Sequence, residues 1–165
     1  MIWQTPLVYA LPQDAKEMAN LQADTVDLDA QSYHGTYRGH VQFSQGSAHL
    51  ESQSLETIMS PKKELIKAIA LGNAAVPAHF WALTELDKPP LHAYASTITY
   101  YMHPRRILLE GNVSIQQGDT QLSAEKVLYN IEAQRLQTFP PKSATPTHIV
   151  FRTGSEISSK SGLVP

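Results

Sequence analysis

The chain has 165 residues, enough for one domain with a single sizeable core. Hydrophobic residues make up 42% and charged residues 17%, which argues against both a disordered chain and a membrane bundle. The formal net charge of −2 argues against nucleic acid as the main partner, and the absence of cysteine excludes thiolate metal sites, a catalytic thiol and disulfides.

The N-terminus carries no apolar run long enough to span a bilayer. Val8 and Ala10 have the small-x-small spacing of a signal-peptidase site. Residues 1–10 are therefore either the stump of a trimmed export signal or a coincidence of spacing. Residues 11–157 are expected to form one domain. Residues 158–165, ending Ser161-Gly162-Leu163-Val164-Pro165, read as a vector-derived tail.

Thr25-Val26-Asp27-Leu28-Asp29 is the first clear strand, with β-branched residues in alternation with carboxylates. Tyr37, Gly39, Val41 and Phe43 then alternate with Arg38, His40, Gln42 and Ser44, so one face is apolar and the other polar. Gln45-Gly46 ends that strand as a turn. Glu64 to Leu71 could be read as a helix, but its counterpart near Leu136 to Phe139 looks like strand, and strand is preferred for both. Gly72-Asn73 is a turn and Asp87-Lys88-Pro89-Pro90 a loop, because prolines cannot donate to a ladder. Thr97-Ile98-Thr99-Tyr100-Tyr101 is again strand. Leu109, Gly111, Val113 and Ile115 repeat the earlier alternation up to the turn Gln117-Gly118.

These elements repeat. Gly39-His40-Val41-Gln42-Phe43-Ser44-Gln45-Gly46 returns as Gly111-Asn112-Val113-Ser114-Ile115-Gln116-Gln117-Gly118, at an offset of 72 residues. The same offset carries Leu50 onto Leu122, Ala23 onto Ala95 and Val26 onto Ile98. Inside this lies a shorter unit, a small residue followed three and five positions later by strand-packing residues. It occurs at Ala23/Val26/Leu28, Ser52/Leu55/Thr57, Ala95/Ile98/Tyr100 and Ala124/Val127/Tyr129. Such spacing indicates stacked supersecondary units that share one core. An all-β fold of a dozen or more short antiparallel strands, in two facing sheets or a rolled sheet, is expected.

Catalytic signals are missing. The seven histidines show no HExxH or other helix-borne ligand pair, and His40 and His49 fall on outward faces. Asp24, Asp27 and Asp29 lack the glycine and closing glutamate of a calcium loop, and read as the wet side of a strand. No nucleophile elbow, phosphate-cradling glycine loop or dinucleotide fingerprint is present. The basic pairs Lys62-Lys63 and Arg105-Arg106 read as solvated surface. Neither a metal nor a cofactor is implied.

The repeated G-[HN]-V-x-[FI]-x-Q-G segment resembles the OstA-like repeat of lipopolysaccharide-transport proteins. Ala78-His79-Phe80-Trp81, the loop Asp87-Lys88-Pro89, Ala95-Ser96-Thr97-Ile98-Thr99-Tyr100 and Leu108-Leu109-Glu110-Gly111-Asn112-Val113 follow the order and spacing of the LptA/OstA-like periplasmic family. The resemblance spans approximately Leu21 to Phe151. It implies an OstA-like β-jellyroll of about sixteen antiparallel strands in two facing sheets that open as a V. It also implies that lipopolysaccharide is bound through its lipid A acyl chains between those sheets, in the periplasm. The implied partners are an LptC-like inner-membrane protein, an LptD-like outer-membrane translocon and further copies of the chain joined head to tail.

By position, the resemblance places Ala19, Leu21, Phe80, Tyr100 and Met102 in the groove, although Ala19 replaces a bulkier aliphatic residue of the family. With the alternation of the strands, the candidate groove residues are Leu21, Tyr37, Phe43, Leu50, Phe80, Ile98, Tyr100, Met102, Leu109 and Val113. Each acyl CH₂ removed from water contributes about 0.8 kcal/mol, so one fourteen-carbon chain supplies on the order of 10 kcal/mol of gross driving force. The segments near Leu21 and near Thr147-His148-Ile149-Val150-Phe151 are the candidate edge strands for assembly. Two other readings stay open. One is a periplasmic domain of another member of the same machinery, LptC-like or LptD N-terminal-like. The other is a glycan-binding β-sandwich, which would carry exposed aromatics on an outer face.

Overall fold

The structure is a computed structural model that describes residues 11–130, 133, 135–142 and 146–152. The expected signal remnant and the expected tail lie outside the described residues. A one-turn 3-10 helix, Pro12–Lys16, is followed by twelve strands. The first half contributes β1 (Asn20–Gln22), β2 (Thr25–Asp29), β3 (His34–Gln45), β4 (Ala48–Met59), β5 (Leu65–Leu71) and β6 (Ala78–Ala82). The second contributes β7 (Leu91–Ala95), β8 (Thr97–Tyr101), β9 (Arg106–Gln117), β10 (Thr120–Asn130), β11 (Arg135–Thr138) and β12 (His148–Val150). The ambiguous stretch around Leu65 is strand, as preferred from the sequence.

Four long strands, β3, β4, β9 and β10, fold one hydrogen-bonded network into two facing sheets, because the two halves of each pair with different neighbours. Sheet 1 runs β1, end of β3, start of β4, β6, β7, end of β9, start of β10, β12. Sheet 2 runs β2, start of β3, end of β4, β5, β8, start of β9, end of β10, β11. Counting both halves of each long strand, the twelve strands supply the sixteen segments of the expected jellyroll.

Bending a strand between sheets needs an interruption of the ladder. Gly39 (φ +78°) and His40 (φ +46°) supply it in β3, and Gly111 (φ +81°) and Asn112 (φ +49°) supply it in β9. Two successive left-handed residues cannot continue a pleat, so the pairing slips between Arg38 and Val41, and between Ala124 and Lys126. Each bulge is held from the neighbouring corner: the N–H groups of Asp24 and Ser96 donate to the carbonyls of Gly39 and Gly111, both at 2.9 Å. The 72-residue duplication thus reaches down to backbone geometry. It reaches to register as well. Leu21 faces Phe43 and Thr25 faces Arg38, while 72 residues on Ala93 faces Ile115 and Thr97 faces Glu110.

The small residues of the short unit lie along the line where the sheets meet. Val41 faces Ser52, Ala78 faces Ala95, and Val113 faces Ala124. Ala78 and Ala95 are fully buried there. Three positions on, Leu55, Ile98 and Val127 form the next inward row, and two further on come Thr57, Tyr100 and Tyr129. Small side chains therefore sit at the crease and larger ones follow as the sheets part, which is the spacing that a V-shaped section requires. The halves join where β5 pairs β8 and β6 pairs β7. Among the described residues, β1 and β2 are unpaired on one side at the N-terminal edge, and β11 and β12 at the C-terminal edge.

Candidate functional site

The space between the sheets holds a cavity of about 400 Å³. Sheet 1 contributes the row Leu21, Phe43, Leu50, Phe80, Ala93 and Ile115, in which each residue faces the next across a ladder. Sheet 2 contributes Leu55, Ala70, Ile98, Leu109 and Val127, then Thr57, Ala68, Tyr100, Ile107, Tyr129 and Leu136 nearer the opening. Protein interiors are close-packed, with few voids larger than a water molecule. Were a void of this size dry and sealed, its cost would be about 10 kcal/mol, as much as a whole domain's stability. An apolar space of this size is within the range of small-molecule sites.

Of the ten groove candidates, Leu21, Phe43, Leu50, Phe80, Ile98, Tyr100, Met102 and Leu109 line this cavity together. Val113 does not, because it lies on the crease, 2% exposed and packed into the core. Tyr37 packs against the same core but stands off the cavity wall. Its ring lies over Gly35, where an added Cβ would sit 3.2 Å from Cε2 of Tyr37. Ala19 is exposed ahead of β1 and is not part of the wall.

Electrostatically the wall is quiet. Burial pushes the Tyr100 phenol up, with Arg105 opposing in part, so the group is neutral at physiological pH. The Tyr100 hydroxyl donates to the Met102 sulfur at 3.7 Å. The charged groups in the lining, Asp14 and Arg105, lie on opposite lips of the V. Asp14 is 5% exposed and accepts hydrogen bonds from Leu11 N–H at 3.0 Å, Ser47 N–H at 2.9 Å and the Ser47 hydroxyl at 2.5 Å. It pins the 3-10 helix to the β3–β4 turn. Its partner lies 33 residues away, so no local motif announces the contact.

Alternation alone misses the alanines at 68, 70 and 93, whose short side chains hollow the wall. The signal that could have found several of its neighbours was the three-and-five spacing, which contains Leu55, Val127 and Tyr129. The outer face of sheet 1 was also missed. There His49, Trp81, His79, His92 and Tyr94 form a ladder of stacked rings. Trp81 is stacked against His49 at 4.9 Å and His79 at 4.5 Å. Among the described residues no three His, Asp or Glu side chains group to hold a metal ion. Asp24 accepts from or shares a proton with His40 Nδ1 at 2.7 Å, and Asp29 caps Gln31 and Ser32.

Residues 20–135 match the family model described as LptA/(LptD N-terminal domain) LPS transport protein. The lipopolysaccharide export system protein LptA of Escherichia coli K12 is 24% identical over 157 residues, covering 95% of this chain and 83% of the relative. Lipopolysaccharide export system protein LptH of Pseudomonas aeruginosa is 28% identical over 128 residues, 78% of this chain and 71% of its own. A crystal structure of LptH, described as the LptA-homologous periplasmic component of the lipopolysaccharide transport device of P. aeruginosa, superposes with a TM-score of 0.73. It has 24% identity and covers 86% of this chain and 99% of that one.

Proposed function

The chain belongs to the family of LptA and LptD N-terminal-domain lipopolysaccharide transport proteins, and from that premise we propose that it is a periplasmic bridge protein, carrying lipopolysaccharide from the inner towards the outer membrane. It holds the acyl chains between its two sheets and performs no covalent chemistry. The observation that carries this reading is the continuous apolar wall, which runs from the N-terminal edge at Leu21 to the C-terminal edge at Leu136. No helix among the described residues is long and apolar enough to cross a membrane.

A lipid with several acyl chains is larger than the drug-sized ligands that cavities of about 400 Å³ usually take. Full loading therefore needs the sheets to part. A photo-crosslinking residue at Phe80 or Tyr100, both on the wall, should capture lipopolysaccharide. One at Gln42, on the outer face of sheet 1, should not. Equal capture at all three positions would remove the groove assignment.

The edges support head-to-tail assembly. Val26 and Leu28 are exposed on β2, and Ile149, Val150 and Phe151 are exposed at the other end. The seam inside the chain supplies a template for covering them, since β8 and β7 are the duplicates of β2 and β1. By that template β11 of one copy pairs with β2 of the next, and β12 with β1. The terminal edges of such an array would be free to pair with an LptC-like inner-membrane protein and an LptD-like outer-membrane translocon. The relatives named lipopolysaccharide export system proteins LptA and LptH support the bridge reading.

A further inference from the structure

The two basic pairs that read as solvated surface in the sequence fall in adjacent turns of the fold. Lys62 and Lys63 lie in the turn from β4 to β5, and Arg105 in the turn from β8 to β9. Because β5 and β8 are antiparallel neighbours, these turns are side by side: Lys67 faces Tyr101, and Met102 N–H donates to the Ile66 carbonyl at 2.9 Å. Both turns lie on the open lip of sheet 2. Arg105 lines the cavity beside Tyr100 and Met102. Arg106 goes the other way, its guanidinium 4.6 Å from the Tyr101 ring centroid, with Lys67 over the same ring at 5.2 Å.

The Lys62–Lys63 turn is closed by hydrogen bonds from Lys63 N–H to the Ser60 carbonyl at 2.8 Å and from Ser60 N–H to the Glu64 carbonyl at 2.7 Å. Lys63 sits at φ +63°, a conformation that favours glycine or asparagine, yet the position carries a cation. Both lysines are exposed, and neither has an ion pair among the described residues. Glu64 is the carboxylate within these turns. The opposing lip has the other sign: Glu85, Asp87 and Asp119 lie in its turns, with Lys88 held by Glu85 at 2.7 Å and Asp119 by Arg152 at 3.2 Å.

We propose that Lys62, Lys63 and Arg105 form an anion-binding lip that holds a phosphate on the head group of a glycolipid whose acyl chains occupy the cavity. The inference rests on the lipid-carrier reading and adds to it a polarity. Acyl chains end their burial at the lip, so the head group's charge comes to lie where Arg105 meets the apolar wall. Guanidinium and ammonium groups bind phosphate through charge-assisted hydrogen bonds, whereas on the opposing lip the cations Lys88 and Arg152 are already engaged by Glu85 and Asp119. The head group is thereby turned towards sheet 2.

The test compares binding of bis-phosphorylated lipid A, the same lipid A after dephosphorylation, and sodium phosphate alone to the full chain at fixed salt. The wild type should bind the phosphorylated form roughly tenfold or more tightly than the dephosphorylated one. The combined variant Lys62→Gln and Lys63→Asn, at positions off the cavity wall, should lose most of that preference while keeping its affinity for dephosphorylated lipid. Arg105→Lys, which retains the charge, should keep most of the preference. Equal wild-type affinity for both lipids, or an equal loss for both in the combined variant, overturns the lip and leaves the groove standing. Failure to bind either lipid overturns the groove and the lip together. Saturable binding of phosphate alone that lipid does not displace assigns the cations to a free anion and overturns the head-group assignment.

Discussion

Lys67 lies directly opposite Tyr101 at the seam where the two halves of the chain join. Lys67 is held by Ile58 on its other side, and Tyr101 by Arg106. Their duplicates are Arg135, held by Asn130, and Asp29, held by His34. If one copy follows another as one half follows the other, Arg135 comes opposite Asp29 of the next copy. The same register sets Leu136 opposite Leu28, Gln137 opposite Asp27 and Thr138 opposite Val26. On sheet 1 it sets Ile149 opposite Leu21. An apolar pair on the inner face and an opposite-charge pair on the outer face fall into place without adjustment.

That register is open to direct measurement. Directly opposed residues of an antiparallel pair have Cα atoms about 4.5–5.5 Å apart, within disulfide reach. Mixing Leu28→Cys and Leu136→Cys proteins under mild oxidation should give a crosslinked dimer, whereas Leu28→Cys with Gln137→Cys should give little. Asp29→Arg should weaken association by about 0.5–1 kcal/mol per junction, a factor of two to five, and Arg135→Asp in the partner should restore it. Crosslinking with no preference for the first pair would exclude the internal seam as template.

The bulge glycines give a prediction for the fold itself. A Cβ at Gly111 would lie 2.6 Å from the Ser96 hydroxyl and 2.8 Å from its Cβ, at a φ of +81°. Gly111→Ala combines a left-handed conformation with a clash against the corner that pins the bulge. It should cost about 2–3 kcal/mol in chemical denaturation. Gly118→Ala, where the nearest atom would be 3.4 Å away, should cost about 1 kcal/mol. Equal losses at both sites would show that the crease tolerates a side chain.

Much of the architecture was legible because each structural demand leaves a periodic trace. The bulge needs glycine followed by a residue that accepts positive φ, so G-[HN] recurs at the offset of the repeat. The crease needs small residues, so Ala23, Ser52, Ala95 and Ala124 recur ahead of larger ones. The resemblance placed Leu21 and Phe80 on the inside, and alternation did so for Phe43 and Leu109. Alternation could not tell depth. Val113 and Leu109 both point inward on β9, but only the bulge between them decides that one is sealed in the crease and the other reaches the wall. Nor could it show that Lys62 and Arg105, more than forty residues apart, occupy adjacent turns. That follows from the β5–β8 seam, a pairing between halves rather than within one.

The wall can be filled deliberately. Ala68 faces Thr57 on one side and Tyr100 on the other, and its side chain borders the cavity. Ala68→Phe would project a ring into existing space instead of into packed core, so its effect on stability should stay within about 1 kcal/mol. Lipopolysaccharide capture by a crosslinker at Phe80, across the cavity, should fall severalfold. Ala95→Phe, aimed at the fully buried crease, should instead destabilise by several kcal/mol. A lipid effect no larger for Ala68→Phe than for an outer-face control would show that the acyl chains bypass this part of the wall.

The ring ladder on sheet 1 should make the protein's stability fall in acid. His79 is half-buried between Trp81 and Tyr94, and its Nε2 lies 2.9 Å from His92 Nδ1. Burial, and then the neighbouring imidazole, lower its pKa from 6.5 to about 4. The unfolded chain therefore takes up a proton on this residue at a higher pH than the folded one does. Stability from the neutral ring is fully present above pH 6.5 and is lost progressively as pH falls towards 4. Discounted for the partial exposure of the ring, the loss should be about 1–2 kcal/mol. His79→Phe keeps an aromatic ring in the stack but cannot titrate. Denaturation midpoints measured between pH 7 and pH 4 should decline less steeply for this variant than for the wild type. Parallel profiles would place the acid sensitivity in other groups and leave the ladder with a packing role alone.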